Sequence, residues 1–301
     1  MSVLSKPYFH DEAAAFAKLE EIVWPNGPIC PHCGGRERIY ELKGKSTRQG
    51  LKKCGHCRKQ FTVRVGTVFE SSHIPLHKWF QAAYLMASSK KGISAHQLHR
   101  TLEITYKSAW FMAHRLREAM RDNSDPMGAL GGQNKVVEAD ETYVGGKAKN
   151  RAYKEPPKKE AVVSLVERDG RVKSFHLKTV TAKTLRPILV TQIDRKSYLM
   201  TDESLVYIKT GEEFAGHGTV NHSVDEYVRH GSFMHTNTVE SFFSLLKRGL
   251  HGAYHHVSQQ HLKRYLAEFD FRHNARGVSD AERSELILRG IGGKRLVYEG
   301  I

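Results

Sequence analysis

Four cysteines constrain this chain more than any other feature: Cys30, Cys33, Cys54 and Cys57, spaced C-x2-C-x20-C-x2-C, account for every cysteine in 301 residues. Each C-x2-C pair sets two thiolates on one tight knuckle, and two knuckles supply the tetrahedral sulfur set that Zn²⁺ prefers. Gly34, Gly35 and Gly55 follow their cysteines where knuckle turns need permissive backbone. Two disulfides or a redox dithiol pair are the competing readings, and disulfides are disfavoured in the cytoplasm. Four sulfur ligands leave no open position, so the spacing predicts one structural zinc ion rather than a catalytic one.

Charge bears on what such a ribbon binds. The net charge is +15, and residues 36–64 alone carry ten basic side chains against two acidic ones. Basic charge by itself describes a solvated face as readily as a binding one. Its overlap with the cysteine knuckles favours a polyanionic partner, with Arg58, Lys59 and Arg64 as candidate contacts to DNA phosphates. Apolar runs fall short of the ~20 residues a membrane span requires. Acids occupy the N-terminal stretch where a secretory signal would be apolar, so a cytoplasmic protein is expected.

Around the ribbon, residues 11–23 read as a helix capped by Asp11, and FTVRVGTVFE (61–70) reads as a strand. A helical stretch follows over roughly 76–120. Within it, ISAHQLHRTLEITYKSAWFMAHRLREAM (93–120) reads as a helix-turn-helix. Ser94 and Thr105 cap its two helices, Glu103-Ile104-Thr105 forms the turn, and Leu98, Leu102, Ala109, Met112, Ala113 and Leu116 face inward. Tyr106 and Lys107 then stand at the N-terminal end of the second helix, where base contacts usually fall. An ordinary helical hairpin is the plainer alternative.

The turn-rich stretch 121–135 predicts a domain boundary. Beyond it, the order is strand (KVVEADETYV), hairpin about Asp169-Gly170, helix (181–193), strand (SYLMT) and helices at 236–250 and 258–273, a mixed α/β pattern. Residues 1–70 are accordingly expected to hold the N-terminal helix and ribbon, and 71–125 the helix-turn-helix. A catalytic domain is expected over 133–280, with 281–301 as a tail.

Phosphodiester chemistry needs an oxygen nucleophile and a stabilised leaving oxygen, which two carboxylate-held Mg²⁺ ions can supply. Asp140 lies inside a β-branched strand, sharing a face with Glu138 and Thr142, whereas Glu141 points to the other side. Asp202 follows SYLMT at the carboxyl end of a strand, the usual place for active groups in open α/β sheets. On the helix NTVESFFSLLKRGL, Asn237, Glu240, Ser244 and Lys247 form one polar stripe opposite Phe242, Phe243, Leu246 and Leu250. Lys247 and Arg248 are placed to reach a DNA phosphate. Taken singly, each acid is more often a solvated residue. The histidines His251, His255, His256 and His261 are read as DNA-facing or core groups ahead of a metal site.

The order Asp140, Asp202, Glu240 and Lys247 resembles the DDE(K) pattern of transposases with an RNase H-like fold. More narrowly, ADETYVGGK, VNHSVDEYV, HTNTVESFFSLLKRGLHGAYHHVS and HLKRYLAEFDFRHNAR resemble the ISXO-like insertion-sequence transposases, which also carry an N-terminal ribbon with CPHCG and CxxC knuckles. The resemblance implies an α/β, RNase H-like mixed-sheet catalytic domain behind the ribbon and helix-turn-helix. It further implies cleavage at the 3′ ends of an element and joining of those ends to target DNA. Two Mg²⁺ (or Mn²⁺) ions would be held by Asp140 and Asp202, with Glu240 completing the set; some related subgroups place Asn in the third position, which leaves Asn237 as the alternative. The expected partner is double-stranded DNA, bound by a homodimer or higher oligomer. Two rival functions remain: a non-catalytic DNA-binding protein, and a nuclease of the same fold that cuts without joining.

Overall fold

The computed structural model describes residues 2–121, 128–145, 159–220 and 235–297, which fall into two compact units, Met1–Asp122 with Ala275–Ile301, and Asn123–Asn274. In the first unit, the carboxylate of Asp11 accepts the N–H of Ala14 at 2.7 Å and starts helix α1 (Glu12–Val23). Ala15, Phe16 and Leu19 of α1 are buried. Three short antiparallel strands follow, β1 (Ile39–Glu41), β2 (Lys52–Cys54) and β3 (Gln60–Phe61). Their small core holds Cys30, Cys54 and Phe61, with Trp24 edge-on to Phe61 at 5.9 Å.

The strand expected over 61–70 ends at Phe61. Gly66 takes the left-handed conformation (φ +74°) and donates its N–H to the Glu70 carboxylate at 2.8 Å, which breaks the extended backbone. The β-branched and aromatic residues of that run, Val63, Val68 and Phe69, are buried as core plugs instead of ladder partners. Helices α2 (Leu76–Ser88), α3 (Ala95–Leu102) and α4 (Tyr106–Met120) come next. Ser94 and Thr105 cap α3 and α4 through their side chains, and Glu103 makes the turn between them at φ 51°.

The second unit is built on a five-stranded sheet. Its elements in order are β4 (Val136–Val144), β5 (Glu160–Glu167), β6 (Val172–Leu177), α5 (Ala182–Gln192), β7 (Tyr198–Asp202), α6 (Leu205–Gly211), β8 (Gly216–Val220), α7 (Asn237–Gly249) and α8 (Gln259–Asn274). The strand order is β6-β5-β4-β7-β8; β5 is antiparallel to both β4 and β6, and β7 is parallel to both β4 and β8. An antiparallel meander joined to two parallel strands is the RNase H-like arrangement. Asp169 turns the β5–β6 hairpin at φ 56°. One sheet face buries Val137, Ala139, Val163, Leu165 and Leu199 with α5 and α6; the other buries Val162, Val166 and Val172 with α7 and α8. Sequence periodicity predicted neither α6 nor β8, because GHGTV has two glycines and lacks an alternating apolar face.

Residues 281–289, expected in a tail, belong to helix α9 (Asp280–Arg289) of the first unit. Ser279 and Glu282 form a capping box, and Ile287 and Leu288 are buried where α9 packs on α2. Residues 275–280, expected with the catalytic domain, likewise pack with the first unit, and the ribbon and helix-turn-helix share that one unit. Of the quoted motifs, 146–147 of ADETYVGGK, 221–228 of VNHSVDEYV and part of the boundary stretch (122–127) lie outside the described residues.

Candidate active site and zinc centre

The sulfurs of Cys30, Cys33, Cys54 and Cys57 all lie within 4.8 Å of one another, and among the described residues no other group of three His, Cys, Asp or Glu side chains does so. Cys30 and Cys57 are 3.6 Å apart, as are Cys33 and Cys54. A tetrahedron with Zn–S bonds of ~2.3 Å has edges of ~3.8 Å, so the four thiols fit a zinc ion. Backbone N–H groups, first that of Cys57, then that of His56, favour the Cys54 thiolate and pull it down to about 6 against the cost of burial. The histidines after α7 form no such cluster among the described residues.

Arg58 and Lys59 are exposed on the second knuckle, as a phosphate contact requires. Arg64 differs: its guanidinium is half-buried and donates to the backbone carbonyls of Ser72 (2.7 Å) and Ile74 (3.2 Å). Both of these bonds come from Nη2 and hold the 63–74 segment. Lys52 is also withdrawn from the basic face, buried against Glu20 at 3.0 Å and over the Trp24 ring. At the start of α4, Tyr106 is exposed and stacks on His96 of α3 at 4.3 Å, beside exposed Lys107.

The acids meet where the middle of β4 lies beside the carboxyl end of β7. Glu138 pairs with Met200 in the parallel ladder, and carrying that register two residues further sets Asp202 level with Asp140. Both lie on the sheet face that α7 covers, because alternation puts Val137, Ala139 and Leu199 on the other. Glu240, in the first turn of α7, completes a cleft of about 430 Å³ lined by Asp140, Glu141, Thr142, Glu240, Phe243, Ser244, Lys247 and Arg248. Burial pushes the Asp140 carboxyl up to about 7. The N–H of Glu141, donated at 2.7 Å, opposes that shift, and the charges of Glu141, Asp202 and Glu240 add to it. Asn237, exposed at the first position of α7, and Asp202 both stand outside this lining, but only Asp202 shares the register of Asp140 and bears on its charge.

Two acids carry more than the sequence suggested. Glu141 was placed on the opposite face, yet it lines the cleft; Tyr207 of α6 donates to its Oε2 at 2.5 Å, and burial is the main cause of its raised pKa. Glu138 is fully buried and reaches α7 instead of the cleft, accepting the backbone N–H groups of Thr238 and Val239. Its partner Arg168 left no periodic or motif signal in the sequence, since the pair depends on the β4–β5 register, which sets Arg168 opposite Val136 on the face of Glu138.

With this geometry in place, two family models match parts of the chain. Residues 129–274 match the ISXO2-like transposase domain, and residues 10–60 match the transposase zinc-ribbon domain. An uncharacterized protein in transposable element ISH50 of Halobacterium salinarum is 29% identical over 281 residues, covering 88% of this chain and 91% of that protein. The crystal structure of a pre-cleavage Mos1 transpososome aligns with 70% of this chain and 74% of its own, at 12% identity and a TM-score of 0.28. Ribbon and DDE-type domain thus occur together in the order expected, and the chain belongs to the ISXO2-like transposases.

Proposed function

We propose that this transposase binds the ends of its element, cuts them in a reaction that depends on two divalent metal ions, and joins the freed 3′ ends to target DNA. The observation that supports this most is the shared register of Asp140 and Asp202, with Glu240 facing Asp140 across one open cleft and the charges of both other acids felt at Asp140. Carboxylates are the hard oxygen donors that Mg²⁺ or Mn²⁺ takes. Asp140 is held near 7 by burial and by like charges, the electrostatic situation that bound cations relieve. The three acids are not drawn within 4.8 Å of one another, as the thiols are. A pair of ions about 3.5–4 Å apart spreads its ligands more widely than a single ion does.

In this reading Asp140 and Asp202 hold both ions and Glu240 completes the set. Ions so held would activate the oxygen nucleophile and stabilise the charge on the departing 3′ oxygen. Lys247 and Arg248, exposed on α7 at the cleft, bind the phosphates flanking the scissile bond and set the strand over the acids. Arg58 and Lys59 of the ribbon and Tyr106 and Lys107 of α4 bind the element ends, the last two reading the major groove. Joining two ends to one target calls for at least a dimer of this chain on DNA.

The test is incubation of the protein with labelled DNA carrying the element ends and Mg²⁺. Asp140→Asn, Asp202→Asn and Glu240→Gln are expected to abolish nicking, while Asn237→Ala retains it. An active Glu240→Gln with a dead Asn237→Ala would replace Glu240 by Asn237 in the ligand set. Absence of any metal-dependent nicking or joining by the wild type would remove the enzymatic reading, and nicking without joining would leave a nuclease.

A further inference from the structure

Helix α7 begins without a side-chain cap of its own. Thr236, at the N-cap position, makes no capping bond to the helix backbone, and its hydroxyl instead donates to Glu240 Oε1 at 2.9 Å. The first turn of a helix has N–H groups with no partner inside the helix, and they need one from elsewhere. Here the partner comes from the sheet. Glu138 Oε2 accepts the N–H of Thr238 at 2.8 Å and of Val239 at 3.0 Å. Glu138 Oε1 accepts the Thr238 hydroxyl at 2.9 Å and Arg168 Nε at 2.7 Å. Arg168 also donates to the carbonyl of His235 at 2.8 Å, tying down the residue that leads into the helix.

Two distances along the chain give this arrangement its consequence. Glu138 lies two residues before Asp140 on the same strand face, and the N–H groups it holds belong to the two residues before Glu240. One buried carboxylate therefore fixes the origin of α7 against the strand that carries Asp140. A carboxylate at a helix N-terminus is favoured by the helix dipole, and its pairing with Arg168 offsets the cost of burying the charge.

We infer that Glu138 and Arg168 are positioning residues: they register α7 on β4 so that Glu240 meets the same metal ions as Asp140 and Asp202. This inference rests on the metal-binding reading of the cleft given above. A salt bridge serving stability alone would have no particular link to Glu240, and that separates the two roles.

The experiment titrates the full-length, zinc-loaded protein with Mn²⁺ alone and follows free Mn²⁺ by electron paramagnetic resonance. Glu138→Gln is expected to weaken Mn²⁺ binding by about tenfold or more, the usual scale for groups that orient metal ligands. In a Glu240→Gln background the same change should cost less than about twofold, because residues acting through one another are not additive. Arg168→Lys, which keeps the charge but loses the fork, should show the same dependence on Glu240 with a smaller loss. It carries the test if Glu138→Gln fails to fold by circular dichroism. Wild-type affinity in Glu138→Gln or, if that does not fold, in Arg168→Lys, or penalties that multiply independently in the double variant, would overturn the inference while Asp140→Asn still loses Mn²⁺. If Asp140→Asn itself binds Mn²⁺ like the wild type, the metal reading of the cleft is what has failed, and the inference falls with it.

Discussion

The zinc centre draws four ligands from 28 residues of chain, Cys30 to Cys57, on two knuckles joined by short strands, whereas the acidic cleft draws Asp140, Asp202 and Glu240 from elements spread over a hundred residues. The thiols lie close enough for one ion and have little around them: their core is Cys30, Cys54 and Phe61, edged by a few half-buried side chains. The acids hang from a sheet with a full hydrophobic layer on each face. In the first region an ion held by the thiols would organise the protein; in the second the fold sets the acids and imposes a repulsion that the proposed metal ions would relieve. Metal removal and ligand substitution should therefore have opposite consequences for folding in the two regions.

The largest effect belongs to the ribbon. Structural zinc sites contribute on the order of 10–16 kcal/mol of apparent binding energy to folding, far more than a core of this size can replace. Cys54→Ser, or chelation of the wild type, is expected to release the zinc and open residues 30–60 to protease. Mn²⁺ binding by the acidic cleft should be unchanged. Zinc content per chain and mass-mapped proteolysis would report this, and a metal-free ribbon that stays protease-resistant would break the contrast.

At the cleft the sign reverses. Asp140 is raised to about 7, chiefly by burial, so its ionised form is disfavoured in the folded protein. An acid with a raised folded pKa costs nothing below its unfolded pKa, and its cost grows as pH climbs to the folded value. At pH 8 the whole cost is present, and Asp140→Asn should stabilise the protein by on the order of 1–3 kcal/mol without divalent ions while abolishing nicking. Added Mg²⁺ should raise the melting temperature of the wild type and not of the variant. Asp140→Asn melting below the wild type at pH 8 would mean that the acids stabilise the fold, as the thiols do.

The same contrast explains what could be read from the amino-acid order. C-x2-C spacing is local, so the zinc site was legible before any fold was known. Asp140, Asp202 and Glu240 could be proposed from the sequence because each is an acid on an element with a clear apolar face. Glu138 shared the strand face of Asp140 and had to be left as an auxiliary; only the docking of α7 shows that its carboxylate is used up by the helix N-terminus. Arg64 looked like its basic neighbours, and its carbonyl partners lie eight and ten residues away in a segment with no regular structure. Helix α9 escaped for another reason: its apolar residues Ile287 and Leu288 find their core in a unit that starts at the far end of the chain.

The smallest effect sharpens the comparison within the second unit itself. Asp270 of α8 is an acid of similar electrostatic standing: burial pushes it up to about 7, opposed by hydrogen bonds from the Ser174 hydroxyl (2.6 Å) and N–H (2.8 Å). Ser174 in turn pairs with Ser164, the residue opposite Asp140 on β5. Asp270 is outside the cleft lining and, unlike Asp202, is not among the charges that act on Asp140, so no ion should relieve it. The folded protein should therefore lose stability relative to Asp270→Asn as pH rises from about 4 to about 7, with no accompanying loss of nicking. Urea unfolding of both proteins at pH 4.5, 6 and 7.5, with and without Mg²⁺, measures it. A stability gap between the two that stays constant with pH would show that Asp270 does not titrate in this window; a gap that Mg²⁺ closes would place it among the metal-linked acids with Asp140.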